Sequence, residues 1–249
     1  MTGMVVFYLL VLVRVLAFFS VVPLFSQKKI PALWKVGTGV VVTLLILPLL
    51  SPRPLPANPG WLCLAILWES AVGMSFAMIM TCSLGAVLSA GSLIDTQMGF
   101  ANSGVLNPAG EAPEPITAAF YQTIFLLLCL KASYHLYLLR IFLESFHWMS
   151  VGMILDKFEK LSQMGLLLFG QFFVSVAWLV LPVSLALLAS EVCLAFLSRL
   201  IPQMNMLIAA APIRVLAGLF LVSLSMPVTL NAMSGVVESC LRTVEVFGV

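Results

Sequence analysis

The chain has 249 residues, of which 62% are hydrophobic and only 9% are charged, and its mean hydropathy is +1.14. Soluble domains carry roughly 25% charged residues, so this composition excludes an ordinary soluble protein and indicates an integral membrane protein. The formal net charge of +2, without a run of basic residues, gives no reason to expect nucleic acid as a partner.

Uneven apolar runs predict an all-α membrane protein of long, broken and kinked helices and helical hairpins. Since a crossing needs about 20 apolar residues, the chain has room for about six to eight membrane helices in one helical unit. Several runs are much longer than a crossing and one is shorter, so we expect long helices to bend, break or protrude. The runs are about Val5–Phe25, Val36–Leu50, Trp61–Ser92, Ala118–Phe146, Gly165–Leu200 and Met206–Met233.

The first run carries Arg14 in its middle and has no basic residues before it. Bulky residues follow it instead of a small-residue cleavage site, so we expect it to persist and not to be a removable signal peptide.

A polar and irregular segment interrupts the apolar pattern between Gly91 and Ile116. Backbone outside a helix is tolerated at membrane depth only where protein buries it or water runs past it. From the residues alone, the segment is therefore either an extramembrane loop or part of a pore.

Prolines inside two late runs predict kinks at Pro182 and Pro227, because each removes a backbone donor and crowds the preceding turn. The tetrapeptides 182–185 and 227–230 echo one another, which suggests a C-terminal pair of antiparallel helices.

Charged residues within or near the apolar runs should face protein or water, because a charge at the bilayer centre costs from about 2.5 kcal/mol upward. Lys131 and His135 are spaced to share one helical face, as are Glu191 and Arg199. A proton or ion relay is one interpretation, but scattered cations without a series of carboxylates favour salt bridges between subunits. These residues are Arg14, Glu69, Lys131, His135, Arg140, Glu191, Arg199 and Arg214.

No pattern in the sequence indicates an enzyme, a metal site or a cofactor. There is no phosphate-binding loop, no zinc-protease motif and no nucleophile elbow. The five cysteines stand singly in apolar surroundings, and neither His135 nor His147 has ligand spacing to an acid or a cysteine.

The order of several short elements resembles the FliR/SctT family, the R (flagellar) and T (virulence) subunits of the type III export gate. The Gln97–Phe100 stretch resembles the flagellar branch more than the virulence branch. The elements are Arg14 with Pro23 and Pro31, Glu69-x-x-x-Gly73, Gly91-x-x-x-Asp95-x-Gln97-x-Gly99, Pro108, His135, Ser145-Phe146, Leu181-Pro182-Val183 and Arg199-x-x-Pro202-Gln203-x-Asn205.

The resemblance implies one R-type subunit in a helical hetero-oligomeric ring with five P-type and four Q-type subunits, in contact with a B-type switch subunit, an A-type export subunit and membrane lipid. Residues 1–249 would form one export-gate domain, with a P-like part at about 1–160 and a Q-like hairpin at about 161–249. Exported unfolded protein chains would pass through the ring across the bacterial inner membrane. By the same resemblance, the buried polar residues of assembly are Arg14, Glu69, Asp95, Gln97, Lys131, His135, Glu191, Arg199, Pro202, Gln203, Asn205 and Arg214.

The resemblance also implies that the polar segment, at about 100–116, is a plug inside the export pore. Its Asn, Gly and Pro residues suit a compact non-helical loop. We expect the closed pore to be sealed by water exclusion at its apolar residues. The plug residues would be Phe100, Asn102, Gly104, Val105, Leu106, Asn107 and Pro108.

Two other functions fit the composition. A small secondary transporter or ion channel would explain broken helices and buried charges, although no inverted repeat is found in the sequence. A scaffold of a membrane complex would explain the same apolar helices without a conducting path.

Overall fold

The computed structural model describes residues 2–23, 31–51, 53, 55–56, 58–100, 115–155, 158–200 and 206–248. All regular structure in these residues is helical, which confirms the all-α prediction. A 3-10 turn at Leu47–Leu49 follows the second helix. The α-helices of the described residues are α1 Thr2–Val21, α2 Ala32–Ile46, α3 Pro59–Met98, α4 Ile116–Lys131, α5 Tyr134–Trp148, α6 Phe158–Leu200 and α7 Met206–Gly248.

Helix α3 is a single uninterrupted helix of 40 residues, or roughly 60 Å at 1.5 Å per residue. It begins at Pro59, where the missing backbone donor costs no hydrogen bond. It ends before Gly99, whose φ of +92° is a conformation that glycine adopts readily and that terminates helices. Local sequence therefore sets both ends of α3.

Helices α6 and α7 each have 43 residues, roughly 64 Å in length. Pro182 lies inside α6, and Pro212 and Pro227 lie inside α7, without dividing either helix. A proline removes one backbone hydrogen bond, which a long apolar helix tolerates when neighbouring groups compensate.

One predicted run proves to be two helices. Ala118–Phe146 is one continuous apolar run in the sequence, but α4 ends at Lys131 and α5 begins at Tyr134. Ser133 has a φ of +57°, in the left-handed region, and its amide donates to the carbonyl of Leu130 at 3.2 Å. The break therefore depends on one residue in a conformation that Ser rarely adopts.

Four helical segments of the described residues are long and apolar enough to cross a membrane, and α4 with α5 would make a fifth if they form one broken span. This is fewer than the six to eight helices that the length allowed, because α3, α6 and α7 each use about twice the residues of one crossing. The four segments are Gly3–Val21, Pro59–Met98, Phe158–Phe196 and Pro212–Thr243.

The chain divides into two compact units, and both contain parts of α3, α6 and α7. The first unit comprises Met1–Cys82, Cys129–Gln171 and Val237–Val249. Its core includes the rings of Phe18 and Phe142, which stack with centroids 4.0 Å apart.

The second unit comprises Ser83–Leu128 and Phe172–Val236. Its core contains Ile94, Phe125 and Leu179, all fully buried. Neither unit coincides with the P-like and Q-like parts implied by the resemblance, so that division remains a prediction.

Candidate functional site

The most deeply buried charges of the described residues are Arg14 of α1 and Glu69 of α3, both with no exposed side-chain surface. Arg14 Nε donates to Glu69 Oε2 at 2.5 Å. A charge in an apolar interior is tolerated when it is paired and hydrogen-bonded. The sequence analysis favoured salt bridges between subunits for these charges, and that prediction is wrong for Arg14 and Glu69, because the structure pairs them within one chain.

Backbone groups around the C-terminal end of α5 bind the same guanidinium, whose Nη2 is buried without a partner among the described residues. Arg14 Nη1 donates to the carbonyl of Met149 at 3.1 Å and, more weakly, to that of Ser145 at 3.4 Å. The guanidinium carbon lies 4.6 Å from the centroid of the Phe146 ring. A cation is favoured here, because the last carbonyls of a helix carry partial negative charge.

Glu69 is fixed from its other oxygen, where Oε1 accepts a hydrogen bond from the amide of Gly152 at 2.9 Å. Gly152 has a φ of +82°, which a residue with a Cβ adopts only with strain. The pair therefore joins α1, α3 and the segment after α5. We call Arg14, Glu69 and the backbone groups of Ser145, Met149 and Gly152 that they bind the buried charge network.

A glycine allows α1 and α3 to approach closely beside this network. A Cβ at Gly73 would overlap the backbone carbonyl oxygen of Arg14 and would lie 3.2 Å from the amide nitrogen of Phe18. Glycine in helix contacts of membrane proteins serves this close approach. The Glu69-x-x-x-Gly73 element thus supplies both the charge and the space on one face of α3.

A second polar cluster lies in the other unit, where Asp95 of α3 binds the first turn of α4. Its carboxylate accepts the amide of Thr117 at 2.9 and 3.1 Å and that of Ala118 at 3.3 Å. Asp95 is only 3% exposed, so solvent screens these bonds little. An acidic group at a helix N-terminus satisfies free donors and complements the helix dipole.

Gly91, one turn before Asp95, brings the two helices into contact. A Cβ on Gly91 would overlap Cα of Ala118 and would lie 2.7 Å from its backbone nitrogen. The C-terminal end of α3 and the N-terminal end of α4 are therefore held together by Gly91 and Asp95, which we call the loop clamp. Residues 99–115 connect the two helices, so both ends of this segment lie beside the loop clamp.

Gln97 also lies near the end of α3, and its Nε2 donates to the hydroxyl of Ser184 in α6 at 2.6 Å. Its Oε1 is buried without a partner among the described residues. Next to it, Met98 packs where Gly218 of α7 leaves room for its side chain. Gln97 thus connects α3 to α6 inside the second unit.

Phe100, the first residue of the predicted plug, is described and half-buried. The other six named plug residues, and three predicted assembly residues, lie outside the described residues. These are Asn102, Gly104, Val105, Leu106, Asn107, Pro108, Pro202, Gln203 and Asn205.

The predicted common face of Lys131 and His135 is wrong, because α4 ends at Lys131 and His135 belongs to α5. Lys131 is exposed and His135 is half-buried. The structure therefore does not place these two residues on one helical seam.

Glu191 and Arg199 do lie on one helix, α6, and both are exposed. Glu191 Oε1 lies 3.4 Å from Arg214 Nε of α7. The two partners lie at nearly equal distances from segment 201–205, as in an antiparallel helix pair. Because both side chains are partly exposed, the ion pair contributes little to stability.

No metal centre is formed by the described residues. They contain no group of three His, Cys, Asp or Glu side chains that could hold a metal ion. The buried acids, Glu69 and Asp95, are each fully engaged by donors. Both clusters hold backbone segments in place, since each joins parts of the chain that are distant in sequence.

Three contributors to these clusters have no clear signal in the sequence. The carbonyls of Ser145 and Met149 are backbone groups, which any residue supplies. Gly152 is one of 16 glycines, and only its positive φ distinguishes it.

Comparisons with known proteins identify the family and relatives of the chain. Residues 5–240 match the family model described as bacterial export proteins, family 1. The chain is 28% identical to the flagellar biosynthetic protein FliR of Bacillus subtilis (strain 168) over 95% of this chain and 92% of that protein. It is 27% identical to FliR of Escherichia coli (strain K12) over 87% of this chain and 82% of that protein. It is also 26% identical to the Yop proteins translocation protein T of Yersinia pestis over 86% of this chain and 84% of that protein.

Proposed function

Because the chain belongs to the bacterial export protein family 1, we propose that it is a pore-forming core subunit of a type III protein export gate. The family resemblance predicted from the sequence is thereby confirmed, and the protein is a component of the bacterial inner membrane. In this role it passes unfolded protein chains and catalyses no reaction itself. It binds no cofactor, and energy for export comes from other components.

The observation that carries the proposal is the length of the exposed apolar surface of α6. Large apolar side chains are exposed from Phe158 to Phe196, a distance of roughly 57 Å along the helix. The hydrocarbon core is only about 30 Å thick, so lipid covers at most part of this surface. Other protein subunits are the natural cover for the remainder, which supports a role inside a hetero-oligomer.

The partners that we propose are five P-type and four Q-type subunits in a helical ring, together with the B-type and A-type export proteins. In the same proposal, the part of the chain at about 1–160 packs like a P-type subunit and the hairpin at about 161–249 packs like a Q-type subunit. The flagellar branch is favoured by the resemblance of the Gln97–Phe100 stretch, whereas overall identity does not separate the branches, since relatives named FliR share 22% to 29% and the Yersinia relative 26%.

Native mass spectrometry tests the assembly. The tagged full-length chain is purified in mild detergent from cells that also produce the neighbouring membrane subunits of its operon. We expect one copy of this chain with several copies of two smaller helical proteins. A monomer or a symmetric homo-oligomer would reject the gate and favour a transporter.

We further propose that the segment at about 100–116 is the pore plug, with Phe100, Val105 and Leu106 excluding water. The loop clamp supports this proposal, because Asp95 and Gly91 hold the helices on both sides of the segment together. A segment anchored at both ends yields to a passing chain without leaving the pore.

Deleting residues 104–111 tests the plug while leaving the clamp residues intact. We expect the assembled gate to conduct ions across the membrane, measured as membrane conductance with complex yield as control. Wild-type conductance in a fully assembled complex would reject the plug. Reduced complex yield without a change in permeability would instead indicate a scaffold.

A further inference from the structure

The two tetrapeptides that echo one another in the sequence each present one hydroxyl to the interior of the second unit. They are residues 182–185 of α6 and 227–230 of α7, and both read Pro-Val-Ser/Thr-Leu. Both prolines are exposed. Residues two positions apart in a helix point about 200° apart, so Ser184 and Thr229 point away from the prolines. Ser184 is half-buried and Thr229 is only 2% exposed.

In α6, the hydroxyl of this motif binds the end of α3. Ser184 Oγ accepts a hydrogen bond from Gln97 Nε2 at 2.6 Å. Gln97 lies two positions after Asp95 of the loop clamp, and α3 ends at the next residue, Met98. The α6 motif therefore contacts the helix end from which segment 99–115 departs.

In α7, the hydroxyl of the motif lies beside the helix that follows the same segment. Tyr121 of α4 is fully buried, and its hydroxyl lies next to those of Thr229 and Ser225. Thr229 Oγ1 donates to the carbonyl of Ser225 at 2.7 Å, and Ser225 Oγ donates to that of Val222 at 3.1 Å. Both oxygens can still accept a hydrogen bond, and the phenol of Tyr121 can donate one.

The contact of Tyr121 is nearly but not fully made. Its hydroxyl is buried and completes no hydrogen bond of good geometry with a described residue. Burying a donor without an acceptor is costly, so a small shift of α7 that completes the bond is favoured. Pro227, two positions before Thr229, permits such a shift, because a helix bends most readily where proline removes a backbone bond.

We propose that Ser184 and Thr229 are positioning residues for the two helix ends that carry segment 99–115. Gln97 donates to Ser184, and Tyr121 donates to Thr229 in the native membrane complex. Through the paired motifs, α6 and α7 hold the loop clamp from two sides. The contacts do not depend on the proposed function, whereas their effect on permeability rests on the proposed plug.

A double-variant cycle of Y121F and T229V tests the contact with α7. The full-length chain is purified in mild detergent with its copurifying subunits, and amide hydrogen exchange is measured at Thr117 and Ala118, one turn before Tyr121. We expect each single variant to raise the exchange rate about fivefold, the effect of losing one hydrogen bond. The double variant should exchange no faster than the faster single variant, because both remove the same bond. T229S keeps the hydroxyl and should exchange as the wild type does.

The variant S184A tests the contact with α6, and we expect exchange in the last turn of α3 to rise about fivefold. T123V is the matched control for both contacts. Thr123 is exposed on α4, and its hydroxyl donates to the carbonyl of Ala119 at 2.9 Å, as that of Thr229 does within α7. We expect T123V to leave exchange at both helix ends unchanged. Complex yield verifies that all variants fold and assemble.

Membrane conductance of the assembled gate separates a positioning role from a merely structural one. We expect Y121F and S184A to raise conductance severalfold, by less than deletion of residues 104–111 does, and T229S and T123V to leave it unchanged. If the deletion conducts and Y121F and S184A do not, the positioning role is rejected.

The sign of the Y121F effect is decisive for the contact with α7. Removing a hydroxyl that has no partner relieves the cost of burying it, so unchanged or slower exchange in Y121F would overturn the proposal. Additive effects of Y121F and T229V would overturn it as well. If exchange changes as expected and neither the variants nor the deletion conducts, the contacts are supported and the proposed plug is rejected.

Discussion

The ion pair of Arg14 and Glu69 shows how a charge is retained in an apolar helix. Removing two charges from water costs several kcal/mol each, and the pair alone does not return that energy. Hydrogen bonds from Gly152 and to Met149 and Ser145 satisfy further groups on both side chains. The main effect of the pair is therefore to determine which segments come into contact, and its contribution to net stability is small.

Replacing Glu69 by alanine should destabilise the protein by about 3–5 kcal/mol, because Arg14 would remain buried without a counter-charge. The measurement is thermal unfolding in mild detergent, followed by tryptophan fluorescence at one protein concentration. E144A is the control, since Glu144 forms an exposed pair with Arg140 at 2.9 Å, worth about 0–1 kcal/mol.

The double variant R14M/E69L should recover part of the loss, since it removes both charges, although it leaves the carbonyls of Ser145 and Met149 without their donor and the amide of Gly152 without its acceptor. Equal melting temperatures for E69A and E144A would show that the pair is not buried in the assembled protein.

At this scale the sequence predicted that Arg14 and Glu69 need partners but did not identify them. The two residues are 55 positions apart, and the carbonyl of Met149 is 135 positions from Arg14. Such contacts depend on how helices pack, and no local pattern encodes them. Asp95 is no different, since it caps the start of α4 from within α3, 22 positions before Thr117, and no local capping pattern marks it.

Among the elements, α3 and α4 illustrate how glycine determines the distance between helices. Gly91 meets the backbone of Ala118, whereas Gly85, about two turns earlier on the same helix, meets only the ring of Phe172 at 3.4 Å. Backbone cannot move aside as a side-chain ring can. The two glycines therefore differ in what an added methyl group would displace.

The substitution G91A should destabilise the second unit by about 1–3 kcal/mol through overpacking. Hydrogen exchange should rise at the amides of Thr117 and Ala118, because their bonds to Asp95 would lengthen. G85A is the matched control, and it should be neutral or stabilising by up to about 1 kcal/mol through helix propensity. If G91A exchanges at wild-type rates, α3 and α4 do not touch there in the native protein.

Helix bounds could be predicted where the sequence marks them, as with Pro59 and Gly99 at the two ends of α3. The break between α4 and α5 could not, because Lys131 in the last turn and Ser133 at the N-cap are weak signals, without a Gly or Pro, inside an otherwise continuous apolar run. Ser133 adopts a positive φ there without a glycine. Tertiary packing overrides local preference at this point, and it separates Lys131 from His135.

Considered as a whole, the molecule exposes more apolar surface than a bilayer alone covers. Composition was sufficient to predict a membrane protein, but the number of crossings was not predictable, because helix length exceeds membrane thickness in α3, α6 and α7. We therefore expect part of α6 to contact protein, and the spacing of its side chains indicates which part. The α6 stripe comprises the exposed residues Val174, Trp178, Leu181, Leu185, Leu188 and Val192.

Members of the α6 stripe are separated by three or four residues throughout, which places them on one face. Side chains with this spacing pack as knobs into the holes between side chains of a neighbouring helix. Lipid contact requires apolar character but not this regular spacing. We therefore expect a helix of another subunit to pack against the α6 stripe.

Substitution of Leu185 by alanine distinguishes protein contact from lipid contact. Alanine remains apolar, so a lipid-facing site would tolerate it, whereas a helix interface would lose a side chain that fills a gap. We expect L185A to reduce the copurified partner subunits at least severalfold, measured by native mass spectrometry, with L185M near wild type because methionine keeps the volume. If L185A assembles normally and only the polar variant L185Q is defective, the α6 stripe faces lipid, and the contacts that hold the complex together lie on another face of the protein.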